Sequence, residues 1–237
     1  MITRRPLLAA PALALLPACA RAQSQVVRAR LDRDLFFVEV KVAAQPGLFV
    51  IDTGAPFTIL DLAFARSIGA EPKGGEVLTG AGGARAAWRA PVMGVTLLGG
   101  PTVRLTPSMT DLSRFASGIG APMAGIVGCD LLGQFAVNLD YRAGRATLSD
   151  PRLVRAPAGA SHMRFDSTPY VQATAHAAGR SVAAEFQIDT GSNTALEFWR
   201  PFAEKAFPGV AVSSGGVLGV AGAERSRRGC GGSLVVD

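Results

Sequence analysis

One seven-residue pattern occurs twice and governs what this chain can fold into. Phe49-Val50-Ile51-Asp52-Thr53-Gly54-Ala55 recurs as Phe186-Gln187-Ile188-Asp189-Thr190-Gly191-Ser192, so its aspartates lie at 52 and 189 of 237 residues. An internal repeat sets the architecture before any local reading does, and two copies at this separation read as two related halves. In each copy a β-rich run comes first, Phe36 to Val42 and Tyr170 to Ala175. Turn signals follow, Gln45-Pro46-Gly47 and Ala178-Gly179-Arg180, and a second apolar run then enters Asp-Thr-Gly. Each half is therefore expected to begin as a β-hairpin that ends in a sharp turn.

The first half continues with an acidic start and a glycine stop around 61–67, which predicts a short helix. Glycine-rich Gly80-Ala81-Gly82-Gly83, hairpin-like stretches from Val92 to Leu105 and the apolar Ala124-Gly125-Ile126-Val127-Gly128 come next. A helix at Cys129 to Leu132 and a closing hairpin around Ala143-Gly144 complete it. The second half repeats the order through a helix near Pro201 to Ala206 and a second glycine-rich stretch, Gly219-Val220-Ala221-Gly222. The fold class expected is mostly β, organised as a first lobe over 23–150, a Pro-, Ala- and Gly-rich linker over 151–161 and a second lobe over 162–237.

Residues 1–22 read as a secretory signal: Arg4 and Arg5, an apolar stretch from Pro6 to Ala20, then small residues around Arg21. That stretch is shorter than the ~20 residues of a spanning helix and carries three prolines. Arg4-Arg5 resembles a twin-arginine signal, and Leu16-Pro17-Ala18-Cys19 loosely resembles a lipoprotein box, which makes Cys19 a candidate lipid anchor. Localisation is expected to be the bacterial periplasm or the exterior. The net charge of +6 falls to +3 once the three arginines of this segment are set aside. Arg225, Arg227 and Arg228 then form only a small cluster, read as a solvated loop with no nucleic-acid partner. Of the remaining cysteines, Cys129 and Cys230, a disulfide is permitted in an oxidising compartment but not required.

The composition, 49% hydrophobic and 18% charged, supports a folded core and excludes a disordered or coiled-coil chain. No Gly-x-Ser-x-Gly elbow is present, and Gly80 to Gly83 lacks the ending of a phosphate loop. His162 and His176 stand in no compact metal pattern, so neither a metal nor another cofactor is expected. Phe57, Phe64 and Phe135 read as core. Each Asp-Thr-Gly aspartate follows an apolar strand and so is held near a dry interior. Two carboxyls brought together there cannot comfortably both ionise and share a proton, which places an acid and a base at one point. Water held between them could be deprotonated by one while the other protonates a carbonyl oxygen. Thr53 and Thr190 could lock the two turns together, and Gly54 and Gly191 allow the backbone to turn where a side chain would clash.

The motifs FVIDTGAPFTIL and FQIDTGSNTALEF, with MAGIVGCDLLGQFAVNLDYRAGRATL closing the first half, resemble the aspartic proteases, specifically exported bacterial retropepsin-like or pepsin-like proteins with two lobes. The resemblance spans about 26–237. It implies two pseudo-twofold acid-protease lobes of closed β-barrel type, a catalytic dyad of Asp52 and Asp189, and interlocking Thr53 and Thr190. It also implies an Ile126-Val127-Gly128 strand beside the first Asp-Thr-Gly turn and a flap over Gly80 to Trp88, with Gly80, Gly82, Gly83 and Trp88 as candidates. The activity implied is endopeptidase cleavage of a peptide or protein substrate.

The second half departs from this pattern. The first-half spacing places its apolar-apolar-Gly strand near position 263, and the sequence ends at Asp237. The second lobe is therefore expected to be incomplete, either because the chain is a piece of a longer protein or because another chain completes the lobe, and to be poorly stable. Two other readings follow: a non-catalytic envelope protein that binds peptides, and a one-lobe protease active as a homodimer. The oligomeric state is left open.

Overall fold

The computed structural model describes residues 25–236 apart from 28, 81, 98–99, 195, 211, 220–221 and 230–232. The signal segment, Cys19 and Cys230 lie outside the described residues. The fold is mostly β, as expected. The first half begins with β1 (Gln25–Val27), β2 (Ala29–Asp32), β3 (Leu35–Val42), β4 (Gln45–Ile51), β5 (Ile59–Asp61) and α1 (Leu62–Ser67). It continues through β6 (Lys73–Gly80), β7 (Gly83–Arg89), β8 (Met93–Leu97), β9 (Thr102–Leu105), β10 (Ser108–Thr110) and α2 (Ser113–Ile119). It closes with β11 (Gly125–Val127), α3 (Cys129–Leu132), β12 (Ala136–Asp140) and β13 (Arg145–Ser149). The second half holds β14 (Met163–Asp166), β15 (Thr168–Ala177), β16 (Arg180–Gln187), α4 (Arg200–Ala206), β17 (Val212–Gly219), β18 (Gly222–Gly229) and β19 (Ser233–Val236).

Ten strands of the first half share one sheet, ordered β6-β7-β10-β5-β11-β4-β3-β8-β9 with β2 beside β3. Its central strands are buried on both faces, which explains their near-continuous hydrophobic runs. Phe36, Val38, Val40 and Val42 of β3, with Phe49 and Ile51 of β4 and Val127 of β11, face one core cluster. Leu35, Phe37, Val50 and Ile126 face a second. The strand period of two thus sorts each run into two cores. The order brings β11 parallel to β4, with Gly125 opposite Phe49 and Val127 opposite Ile51. Asp61 caps α1 by accepting hydrogen bonds from the Ala63 and Phe64 amides, as its sequence position predicts.

The first hairpin turns earlier than its residues suggest. Val42 pairs with Gln45, so the turn is Ala43-Ala44, at φ 48° and 70°, and Gln45-Pro46-Gly47 lies inside β4. A two-residue loop is closed by a hydrogen-bonded pair, and the next pair, Lys41 with Pro46, is of the non-bonded kind. The missing proline N–H therefore costs β3 nothing. In the second half the matching turn is Ala178-Gly179, at φ 49° and 70°, where the sequence places it. Arg225, Arg227 and Arg228 stand in strand β18 rather than in a loop. Phe64 and Phe135 pack on the core, but Phe57 is 41% exposed. The Arg89 guanidinium lies over its ring, 4.8 Å from the centroid, so an aromatic face serves a cation instead of the interior.

The second half is thinner. Sheet β14-β15-β16 has β19 added to the far end of β15, and β17-β18 forms a separate ribbon. Its one cluster of buried residues among the described residues is Ala175, Ala206 and Phe207, with Phe186, Leu196 and Phe198 packed partly buried against them, and Val171 and Ala173 of β15 are buried besides.

Candidate active site

Strand β4 delivers Asp52 at the point where its backbone leaves the sheet: the Asp52 N–H donates to the Val127 carbonyl at 3.0 Å, the last rung against β11. The turn that follows wraps around the Asp52 carboxylate, whose Oδ1 accepts from the amides of Gly54 at 2.7 Å and Ala55 at 3.1 Å. In the second half the Gly191 amide donates to Asp189 Oδ1 at 2.8 Å. The same local geometry is built twice, as the repeat requires.

Two threonines join the copies. The Thr53 amide donates to Thr190 Oγ1 and the Thr190 amide to Thr53 Oγ1, both at 3.1 Å. Each hydroxyl then donates across to the opposite strand, Thr53 to the Ile188 carbonyl at 2.6 Å and Thr190 to the Ile51 carbonyl at 3.1 Å. These four reciprocal bonds hold the two turns in one orientation and leave neither hydroxyl unsatisfied. With the turns so fixed, the Asp52 and Asp189 carboxyls come within hydrogen-bonding reach of each other.

Glycine is demanded by that approach rather than by the backbone. A Cβ on Gly54 would stand 2.6 Å from the Asp189 carboxyl, and one on Gly191 would stand 2.3 Å from that of Asp52. Desolvation first, then the negative charge of Asp189 and the hydrogen bond between them, raise the Asp52 pKa from 3.8 to about 7. The Gly54 and Ala55 amides pull the other way and are outweighed. The Asp52 carboxyl therefore keeps its proton through the acidic range.

The first turn is braced from behind, by contacts that the sequence does not announce. The Cys129 and Asp130 amides at the start of α3 donate to the carbonyls of Ala55 and Pro56. Asp130 Oδ1 accepts from both the amide and the hydroxyl of Thr58, at 2.8 and 2.7 Å. The Cys129 thiol donates to the Thr53 carbonyl at 3.3 Å, and burial pushes its pKa up to about 11, so it stays a neutral donor. Gly128 must be glycine here, because its Cβ would stand 2.4 Å from the Phe57 backbone. In the second half Ser192, Thr194 and Glu197 instead hydrogen-bond among themselves, with Thr194 donating to Glu197 at 2.6 Å. Asp189 itself is exposed.

The candidate flap is a hairpin, with Gly80 paired to Gly83 at the tip of β6-β7 and open space beside both. Gly82 and Gly83 take φ of 90° and 105°, which glycine allows. Arg85 ties the stem to the Asp111 carbonyl. Trp88 sits at the base of the hairpin, opposite Met109, and packs partly buried against the first core cluster. Among the described residues there is no cluster of His, Cys, Asp and Glu able to hold a metal ion.

Comparison with known proteins places these observations beside others. Among solved structures the chain is similar to EIAV protease complexed with the inhibitor HBY-793, at 16% identity and a TM-score of 0.32, over 50% of this chain and 92% of that one. It is also similar to a retropepsin-like aspartic protease from Rickettsia conorii, at 19% identity and a TM-score of 0.38, over 53% and 88%. No curated protein matches the chain. Residues 38–130, which run from β3 to Asp130 and contain the first Asp-Thr-Gly turn with its brace, match the family model described as aspartyl protease.

Proposed function

We propose that this protein is a retropepsin-like aspartic endopeptidase, exported to the periplasm or beyond, in which Asp52 and Asp189 activate water against a peptide bond. The observation that carries this reading is the reciprocal threonine lock, which brings the two Asp-Thr-Gly turns together; two carboxyls at such a crossing share one proton. Asp52 holds that proton and delivers it to the substrate carbonyl oxygen, while Asp189 takes a proton from the attacking water. Water oxygen bonds to the carbonyl carbon and a tetrahedral diol forms. Its collapse returns the diol proton to Asp52, and the proton gained by Asp189 goes to the leaving nitrogen. The β6-β7 hairpin covers the bound peptide.

Substituting Asp52→Asn keeps the shape and removes the exchangeable proton, so cleavage of a generic peptide substrate at acidic pH is expected to vanish; wild-type activity in that variant would overturn the reading. The pH profile is expected to be bell-shaped, with both limbs belonging to the pair. A second reading, a peptide-binding protein without turnover, draws on the exposure of Asp189, which among the described residues has no brace like that of Asp52. Misplacement of a carboxyl by ~1 Å can remove ~10²-fold of rate. Tight binding of a transition-state-like peptide inhibitor with no cleavage of any substrate would select it.

A further inference from the structure

We infer that Arg89 is a specificity-determining residue that selects peptides carrying an aspartate or glutamate side chain, through the open edge of a guanidinium fixed between Glu76 and Phe57. The inference rests on the proposed reading of the cleft as a peptide site and goes beyond it in naming which peptides are taken. Strand register puts these residues beside the cleft. Leu78 of β6 packs against the cluster that holds Val50 and Ile126, the strand residues next to the first Asp-Thr-Gly turn. Glu76 lies two positions before Leu78 and so shares its face of the hairpin. It pairs with Ala87 of β7, and Arg89 lies two positions beyond Ala87, on that face again. Phe57 comes to the same place from the chain that leaves the Asp52 turn, and Arg89 lies over its ring.

The three side chains are held from both sides. Arg89 Nε meets Glu76 Oε2 at 2.7 Å, and the guanidinium carbon stands 4.8 Å from the centre of the Phe57 ring. Arg89 is opposite Ser108 at the base of the hairpin, and the next amide, that of Ala90, donates to the Pro107 carbonyl at 2.8 Å. On the other side the Pro56 carbonyl, just before Phe57, accepts from the Asp130 amide at 3.1 Å. The charges of the pair cancel, but their exposure does not. The Glu76 side chain is 22% exposed with Oε1 buried and unpartnered, whereas the Arg89 side chain is 40% exposed. Arg89 Nη1 and Nη2 meet no partner among the described residues. What this cluster offers to an incoming chain is therefore the cation.

The chemistry of the ligand follows from that edge. Two parallel N–H donors on a planar guanidinium match the two oxygens of a carboxylate, and the charge strengthens both bonds. The Phe57 ring shields one face of the guanidinium, so the edge is already oriented and partly dry before a substrate arrives. A glutamine at the same place offers one neutral oxygen, and a lysine brings a like charge against Arg89. The order of preference is therefore Glu or Asp over Gln, with Lys last.

The test uses the whole protein and fluorescence-quenched octapeptides with Leu-Phe at the centre and alanine elsewhere, in which one Glu, Gln or Lys is moved through the outer positions. It is run at about pH 5.5, where a peptide glutamate is ionised. At one position the wild type is expected to cleave the Glu peptide with kcat/KM at least ~10-fold above its Gln counterpart, and the Lys peptide least well. Arg89→Met keeps an apolar stem against Phe57 and is expected to bring that ratio to about one while Gln peptides are cleaved as by wild type. Arg89→Lys should retain part of the preference. Removing Arg89 strips Glu76 of its partner, so Glu76→Gln/Arg89→Met is made alongside, with the same loss of the ratio expected. The peptides are also titrated onto Asp52→Asn with and without Arg89→Met, which reads the Glu-to-Gln affinity ratio without turnover. Discrimination in binding with no cleavage by wild type would uphold the role of Arg89 and overturn the endopeptidase reading alone. Equal handling of Glu and Gln at every position, a ratio that survives the loss of Arg89, or no binding of any peptide at millimolar concentration would each overturn the inference.

Discussion

At the scale of single residues, the tightest constraint is on Gly54 and Gly191. Neither has a left-handed backbone; each is glycine because the opposing carboxyl lies within 3 Å of where its Cβ would be. Gly54→Ala and Gly191→Ala are therefore expected to push the carboxyls apart and lower peptide cleavage by ~10²-fold or more, measurable as kcat/KM against wild type. The raised pKa of Asp52 has its own consequence for stability. The folded state keeps the Asp52 proton up to about pH 7, while the unfolded chain releases it near 3.8. Between those values the native state binds more protons, so stability is greatest below the lower value and falls as pH rises toward the upper one. The thermal midpoint of the wild type is expected to drop across that window and that of Asp52→Asn to drop less; identical curves would remove the buried, shared proton. The aspartates and threonines were legible in the sequence because the repeat marks them. The true reason for the glycines was not, because it lies across an interface, between Gly54 and Asp189 and between Gly191 and Asp52.

At the scale of elements, the sequence locates most pieces and misses how they brace each other. Helix α1, the closing hairpin and the apolar β11 stand where their capping residue, turn glycine and hydrophobic run predict. The first turn does not, because Gln45-Pro46-Gly47 has turn composition while register hands the turn to two alanines. Asp130 is a sharper case. Within the sequence it is an acidic residue in the first turn of a short helix, a common and weakly informative place. Only the parallel pairing of β11 with β4 carries it to Thr58, 72 residues away, where one oxygen accepts two bonds. Asp130→Ala is expected to strand the buried Thr58 donors and cost about 1–3 kcal/mol, read as a shift in the urea midpoint. Thr58→Val removes one donor together with its need and should cost less. A larger loss in Thr58→Val than in Asp130→Ala would show that the hydroxyl serves Gly128, whose amide it accepts at 3.3 Å, more than it serves Asp130.

At the scale of the molecule, two unequal lobes share one lock. The first has two core clusters and a ten-stranded sheet, and the second a small cluster beneath a four-stranded sheet with an open edge. Stability is therefore unevenly distributed, and the second lobe is the part expected to open first. The four threonine bonds act across the two Asp-Thr-Gly turns, with Gln187 donating to the Gly54 carbonyl at 3.5 Å beside them, so they tie the weaker lobe to the stronger. Thr53→Val and Thr190→Val each break bonds on both sides of the same contact, and the double variant should cost less than the sum of the two. Limited proteolysis reads both points at once. In the wild type, early cuts are expected after residue 161, leaving a resistant fragment that contains residues 25–150. Thr190→Val should hasten those cuts without shortening the life of the fragment, because the core of the first lobe does not use Thr190. A protease-resistant piece covering Tyr170 to Val236, or cuts that start within the first lobe in Thr190→Val, would mean that the second lobe carries its own stability and that the lock orients the carboxyls without holding the lobe in place.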